Sequence, residues 1–511
     1  METGSNLIYL GALSVSIVLM LGLGIWVARR TSSGEDFLLA GRRLGTPLLL
    51  GTTLATLVGT GSSLGAVGFA YESGWAGTLY GIGGAAGVFG IVWLFADVRR
   101  YKFMTLSEEM SFYYGANYAV KGVVAVLLFI AEIGWLGAHV LGGSLYLSYL
   151  TDIDATVAKI FVAVGFGLYT IVGGYLADVI TDAVQGTILF VGFSVLAVLA
   201  LIEAGGFSGI SQQVPAEATS FLGIESLGLV PAISLALVIA VGVLATPSYR
   251  QRIYSAASVK VVRRSFLAVG VLFAVFSVMP AIAGLSAQAL NPGMGNTDLA
   301  FPYLATEIFP LWLGAFLLVA GMSATMSSGD SDAVTAVTIL LRDVSQAVTG
   351  RLPRAENMVR YSRIGLAVVM TTALLFALVA TSIIDYITLM ISTLLTGILI
   401  AALLGKFWPR ATWQGCLASL AGGSGAALLV NFNDEWTAFW GNPVIPSLLT
   451  ALAAGVLVSL ATPRNTVSSQ EALRRLDEDR ATLDVGTELR AGTMPEQEPE
   501  GAAPTSQKPA L

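Results

Sequence analysis

The sequence predicts an all-α polytopic membrane protein with about 13 transmembrane helices, and three observations carry that reading. The first is composition. Hydrophobic residues make up 55% of the 511 residues and charged residues 12%, with a mean hydropathy of +0.76. Soluble chains are nearer roughly 45–50% apolar and about 25% charged, so this chain has too little charge to coat a water-soluble globule. The second is the number of apolar runs long enough to cross a bilayer, which takes about 20 residues each. Thirteen stand out: 7–27, 46–71, 76–97, 122–148, 157–175, 180–204, 228–247, 265–288, 311–340, 361–382, 384–405, 413–431 and 443–461. The third is the alternation of basic residues. With the N-terminus outside, 26 of the 27 Lys and Arg residues fall in inner connections or the tail, and only Lys159 lies outside. Basic residues mark cytoplasmic loops, so count and orientation support each other.

The remaining elements follow in order. Residues 7–27 read as an uncleaved helix, because Met1–Asn6 carries only Glu2 and the basic pair Arg29–Arg30 follows the run. Short loops join the later spans. The tail, 462–511, is rich in Glu, Pro, Ala and Thr and is expected to be disordered, although Ser468-Ser469-Gln470-Glu471 carries a capping box with Leu473 and Leu476 on one face. A net charge of −6 gives no reason to expect nucleic-acid binding. One Cys (Cys416) forms no internal disulfide, and one His (His139) excludes a His-rich metal site.

Three places depart from plain Leu/Val/Ala helix. Gly51 to Gly68 holds five glycines and six Ser or Thr in eighteen residues, which is poor for a continuous helix at about 1 kcal/mol per Gly relative to Ala. Either small residues pack against a neighbour, or the helix is discontinuous and offers backbone carbonyls to a cation. In 311–340, Ala324, Ser327, Ser328, Ser331 and Thr335 share one stripe. Hydroxyls suit a hard cation, and equally bond back to their own helix. Asp330 and Asp332 flank the stripe; carboxylates inside a membrane mark ion or substrate paths, unless they lie near the cytoplasmic end beside Arg342 and Asp343. After the Gly173-Gly174 turn, Asp178, Asp182 and Gln185 share a face. The helix dipole alone accounts for Asp178, and Asp182, a turn deeper, is the functional candidate. Glu132 and His139 are seven residues apart on one face and are candidates for a solute pocket. Glu108 and Glu109 read as interfacial.

At these segments the chain resembles the sodium/solute symporter family, which includes sodium-coupled sugar, proline, pantothenate, choline and sialic acid carriers. The resemblance spans about residues 30 to 460. It rests on Asp36-Phe37-Leu38-Leu39-Ala40-Gly41-Arg42-Arg43, on Thr170-Ile171-Val172-Gly173-Gly174 followed by Thr181-Asp182-Ala183-Val184-Gln185, and on Ala324-Thr325-Met326-Ser327-Ser328 with Leu341-Arg342-Asp343. Pro247 with Gln251-Arg252 adds a further match.

The resemblance implies a ten-helix core of two inverted five-helix repeats, plus one N-terminal and two C-terminal helices. The chain then divides into a peripheral helix and cytoplasmic loop (1–45), the transport core (46–405), two peripheral helices (406–461) and the tail (462–511). Span 46–71 becomes the first core helix, 228–247 its repeat mate and 311–340 the eighth. The implied main sodium site takes backbone oxygens of Ala55, Val58 and Ala324 and the hydroxyls of Ser327 and Ser328. An implied second sodium site uses Asp182, Ser327, Asp330 and Ser331. Asp330 departs from the family's small hydroxyl there; an extra carboxylate strengthens a cation site, binds a proton or pairs with an Arg. Gly59, Glu132 and His139 are the candidates for the substrate pocket.

Sugar is disfavoured, because Gly242 and Val243 stand where sugar carriers have a Tyr-Trp gate. Choline is disfavoured by Leu57, where the choline carriers have Trp. A small organic acid, amino acid or similar metabolite remains. The expected function is sodium-coupled import of a small organic solute by alternating access, with no organic cofactor. The protein is expected to work as a monomer in the plasma (inner) membrane. A proton-coupled carrier using Asp182 or Asp330 is the first rival. A membrane enzyme is the second, and one His with one Cys argues against it.

Overall fold

The computed structural model describes residues 3–28, 39–350, 358–380 and 382–488, apart from the side chains of residues 3–4, 28, 168–173, 358–359 and 481–488. Arg29, Arg30, Asp36, Phe37, Leu38, Arg351, Arg354, the Thr170–Gly173 side chains and tail residues 489–511 lie outside the description. Among the described residues the architecture is helical, with no strand and one isolated bridge between Leu44 and Ala256. Nine of the described helices are long and apolar enough to cross a membrane, or eleven if two bent pairs each count as one span. Two further apolar helices, Thr46–Leu57 and Ala155–Gly167, are shorter.

Seven helices are labelled here for what they do: α1 (Thr46–Leu57), α2 (Tyr118–Thr151), α3 (Ala155–Glu203), α4 (Leu229–Ala245), α5 (Pro247–Ser255), α6 (Leu311–Ile339) and α7 (Ser469–Glu488). Local chemistry sets their ends. Pro47 stands in the first turn of α1, where its missing N–H costs nothing. Asn117 caps α2 by accepting from Val120 N, and Asp154 caps α3 through Thr156 N and Val157 N. Helix α6 packs against α1, α2 and α3, which places its stripe of small polar residues at the centre of the molecule.

Spans 157–175 and 180–204 meet at Gly174 (φ 67, ψ 169), where non-helical backbone that side chains disfavour divides α3 into two helices. Three expectations are corrected. The span at 228–247 does not stop there: beyond Thr246 the chain re-forms a helix, α5, bent 44° from α4. Arg250 and Arg252, assigned to an inner loop, are therefore buried. Arg250 pairs with Glu109 at 3.2 Å and lies 3.4 Å over the Phe95 ring. Glu109 also accepts from Tyr113 at 2.8 Å and from Tyr254, so it is a core residue rather than an interfacial one. The tail is not disordered throughout. Its capping box closes as Glu471 N to Ser468 Oγ (3.1 Å), and α7 buries Ala472 and Leu476 against the bundle. Arg480 on α7 reaches buried Glu108 at 2.7 Å, and Asp479 reaches Lys121 at 3.6 Å. An apolar edge and two ion pairs hold the helix where composition alone argued for none.

Candidate functional site

The site grows from two interrupted helices. Helix α1 ends at Leu57; Val58 (φ −86, ψ 62), Gly59 and Thr60 are not helical, and the chain resumes as a wide turn over Gly61–Gly65. A helix end leaves carbonyls without partners. The Leu57 carbonyl is met locally, by the Ser62 hydroxyl at 2.9 Å. Two others are met from across the molecule. Ser327 Oγ donates to the Ala55 carbonyl at 3.1 Å, and Ser328 Oγ donates to the Thr56 carbonyl at 3.0 Å. Ser327 Oγ also lies 3.4 Å from the Ala324 carbonyl on its own helix. Ala55, Ala324, Ser327 and Ser328 are thus brought together in a buried patch of neutral oxygens. Val58 stands at the break, and its N–H still closes the last turn onto Leu54 O. Gly59 is required by space: a Cβ there would come 2.6 Å from Ser328 Oγ and 3.1 Å from His139 Cε1. Hydroxyls and carbonyls without net charge are the donor set a sodium ion takes, so the residues present fit it.

A charged layer lies next to this patch. Arg252 Nη2 sits 3.1 Å from Asp182 Oδ2, 2.9 Å from Thr52 Oγ1 and 2.7 Å from Ser331 Oγ, and also bonds Thr56 Oγ1. Thr52 donates to Asp182 at 2.6 Å, and Ser331 lies 3.2 Å from Asp178 Oδ2. Carboxylate oxygens of Asp178, Asp182 and Asp330 lie within 4.8 Å of one another. All of these groups are buried. Asp182, Asp330 and Ser331, the predicted second-site residues, are therefore gathered, but around a guanidinium. Sequence reasoning missed two members. Asp178 was explained by the helix dipole, and Arg252 was read as part of a loop. The signal that pointed to Asp178 was its i, i+4 relation to Asp182 on one face.

A cavity of about 30 Å³ opens where the two breaks meet, lined by Gly59, His139, Thr246, Ser248, Tyr249 and Asp332 among others. His139 Nδ1 bonds Thr60 Oγ1 at 2.8 Å and His139 Nε2 bonds Asp332 Oδ2 at 3.1 Å. Trp135 Nε1 donates to Thr246 Oγ1 at 3.2 Å. Asp332 is buried here and not solvated at a cytoplasmic end. Glu132 stands behind the lining and accepts from Ser248 N at 3.2 Å, capping the start of α5. Gly59 and His139 thus line the cavity, whereas Glu132 supports it.

Known proteins match this chain over most of its length. The model of the sodium:solute symporter family matches residues 37–423. The sodium/pantothenate symporter of Escherichia coli is 25% identical over 460 residues, covering 86% of this chain and 93% of that protein. The osmoregulated proline transporter of Bacillus subtilis is 21% identical over 470 residues, covering 90% and 96%. Among solved structures, a Na+-coupled sialic acid symporter in a substrate-bound outward-open state superposes with a TM-score of 0.78 at 18% identity, covering 89% of this chain and 98% of that one. At that identity the likeness speaks for the fold.

Proposed function

The chain belongs to the sodium:solute symporter family, a family of transporters rather than enzymes, and from that premise we propose that it imports a small organic solute with sodium by alternating access. The observation that carries the reading is the pair of hydroxyl–carbonyl contacts, Ser327 to Ala55 and Ser328 to Thr56, across the gap between α6 and the broken end of α1. Each hydroxyl now donates to a carbonyl. With sodium bound, the hydroxyl turns its lone pair to the ion, and both oxygens become ligands. Sodium thereby ties α1 to α6 and holds Gly59 and Thr60 in the shape the solute meets. Solute and sodium each raise the other's affinity, reciprocally. Ala55, Val58, Ala324, Ser327 and Ser328 form the proposed ion site, with the Thr56 carbonyl beside Ser328 as a further oxygen.

In the second cluster Arg252 pairs with Asp182, while Asp178, Asp182 and Asp330 lie together; three carboxylates against one guanidinium leave a charge balance that accommodates a second cation at Asp182, Asp330 and Ser331. The division into a core over 46–405 with peripheral helices on either side belongs to the same proposal. So does the orientation, N-terminus outside and tail inside, which rests on the basic-residue alternation. An epitope appended after Leu511 tests the orientation: it stays unlabelled by an impermeant reagent in intact cells, and labelling overturns it. Uptake of a panel of small metabolites into proteoliposomes, with and without a sodium gradient, tests the function. Uptake driven by a pH gradient and indifferent to sodium replaces this reading with proton coupling.

A further inference from the structure

We propose that the cavity between the two breaks takes a solute whose head is a primary or secondary ammonium group, an assignment that rests on the symport reading above. The argument begins with charge. Asp332 lines the cavity and Glu132 stands directly behind Ser248. Both are buried, at 3% and 0% exposure. The fixed cation nearby, Arg252, is engaged by Asp182 and its hydroxyl neighbours, with Asp178 and Asp330 in the same cluster. His139 bonds Thr60 through Nδ1 and Asp332 through Nε2. The lining thus presents one carboxylate, Asp332, with a second, Glu132, behind it and Arg252 already held by Asp182. An anionic head is repelled by these carboxylates, and a cationic head pairs with them.

Unmet hydrogen-bonding atoms give the second, independent observation. Glu132 Oε2 and Ser248 Oγ are buried and make no hydrogen bond. Glu132 faces Asp332. Two carboxylates that face each other are acceptor against acceptor, and only a shared proton or an inserted donor joins them. An ammonium supplies several N–H donors and a positive charge. Tyr80, Trp135, Tyr249 and Phe273 complete the wall, and aromatic faces accept both a cation and its adjoining methylenes. A quaternary amine lacks the N–H donors. The present volume suits a compact head and no more, so the rest of the solute enters as α1 and α5 part.

The test uses purified full-length protein in detergent and three four-carbon probes that differ at the head: n-butylamine, butyrate and n-butanol. Thermal stability is measured with each probe, with and without sodium. Butylamine is expected to stabilise the protein, more so in sodium, while butyrate and butanol do not. Glu132→Gln should weaken butylamine binding by roughly 30-fold or more, since it removes one buried charge of a pair, and should leave the stabilisation by sodium alone intact. Ser248→Ala keeps the backbone N–H and is the second variant, in which weaker butylamine binding is expected with Glu132 still in place. Three results overturn the proposal: equal response to all three heads, preference for butyrate, or unchanged butylamine binding in both variants. A stabilisation that follows pH and ignores every probe also overturns it, in favour of a shared proton. Butylamine binding with no response to sodium refutes the symport reading instead and leaves the ammonium assignment standing.

Discussion

The two helix breaks are built by opposite means. The first, at Val58–Thr60, depends on what is missing: glycine at 59 and 61 removes side chains, and the loosened carbonyls are met by hydroxyls 3.0–3.1 Å away on α6. The second, at Thr246–Pro247, depends on what is present. Proline opens α5, Glu132 caps it, and Arg250 and Arg252 anchor it to Glu109 and Asp182. One break is held by weak neutral contacts that an ion can replace, the other by buried charge pairs that are costly to separate. The contrast teaches where motion belongs: a sodium-dependent joint at the first break and a fixed support at the second.

Breaking the support should have the largest effect. Arg252→Leu leaves Asp182 buried without its cation and is expected to destabilise the protein by about 3–5 kcal/mol, read as a lower denaturation midpoint in detergent. Adding Asp182→Asn should recover part of the loss, because the two residues share one interaction. A single variant as stable as the parent would falsify the idea of a charged anchor. Filling the joint comes next. Gly59→Ala forces a methyl group against Ser328 and His139, a misfit of about 1–3 kcal/mol, and is expected to raise the sodium concentration for half-maximal uptake. Normal sodium dependence in this variant would mean that the break is wider than the contacts imply.

Ser327→Ala and Ser328→Ala each remove one oxygen ligand and little volume. The loss is of order 1–2 kcal/mol, a rise of roughly 5–30-fold in half-saturating sodium, with folding retained because helix bonds in a membrane are internal. Unchanged sodium dependence in both variants would move the ion elsewhere. The smallest effect is expected from Pro247→Ala. The position is the first of α5, where proline mainly restricts the unfolded chain, so stability should fall by about 1 kcal/mol or less and uptake should persist. If uptake stopped, the second break would itself be a moving part, and the contrast between the two would fail.

The sequence by itself determined the membrane class, the apolar helices, the weakness of 51–68 as a helix and the Ser stripe of α6. Each follows from composition, periodicity or propensity within one stretch of chain. The hydroxyls of Ser327 and Ser328 are legible as a stripe at fixed spacing, whereas Ala55, Val58 and Ala324 enter only through the resemblance to the family. The tertiary structure alone decided which charges face one another. Arg250 and Arg252 read as loop residues because their helix begins beyond a break, and burial showed them only when Glu109 and Asp182 arrived from more than 60 residues away. Asp178 looked satisfied by its helix dipole until Ser331 and Asp182 closed around it. The tail looked disordered until Ala472, Leu476 and Arg480 found a surface to meet. In each case the energy that holds the residue comes from partners distant in sequence, which no window along the chain contains.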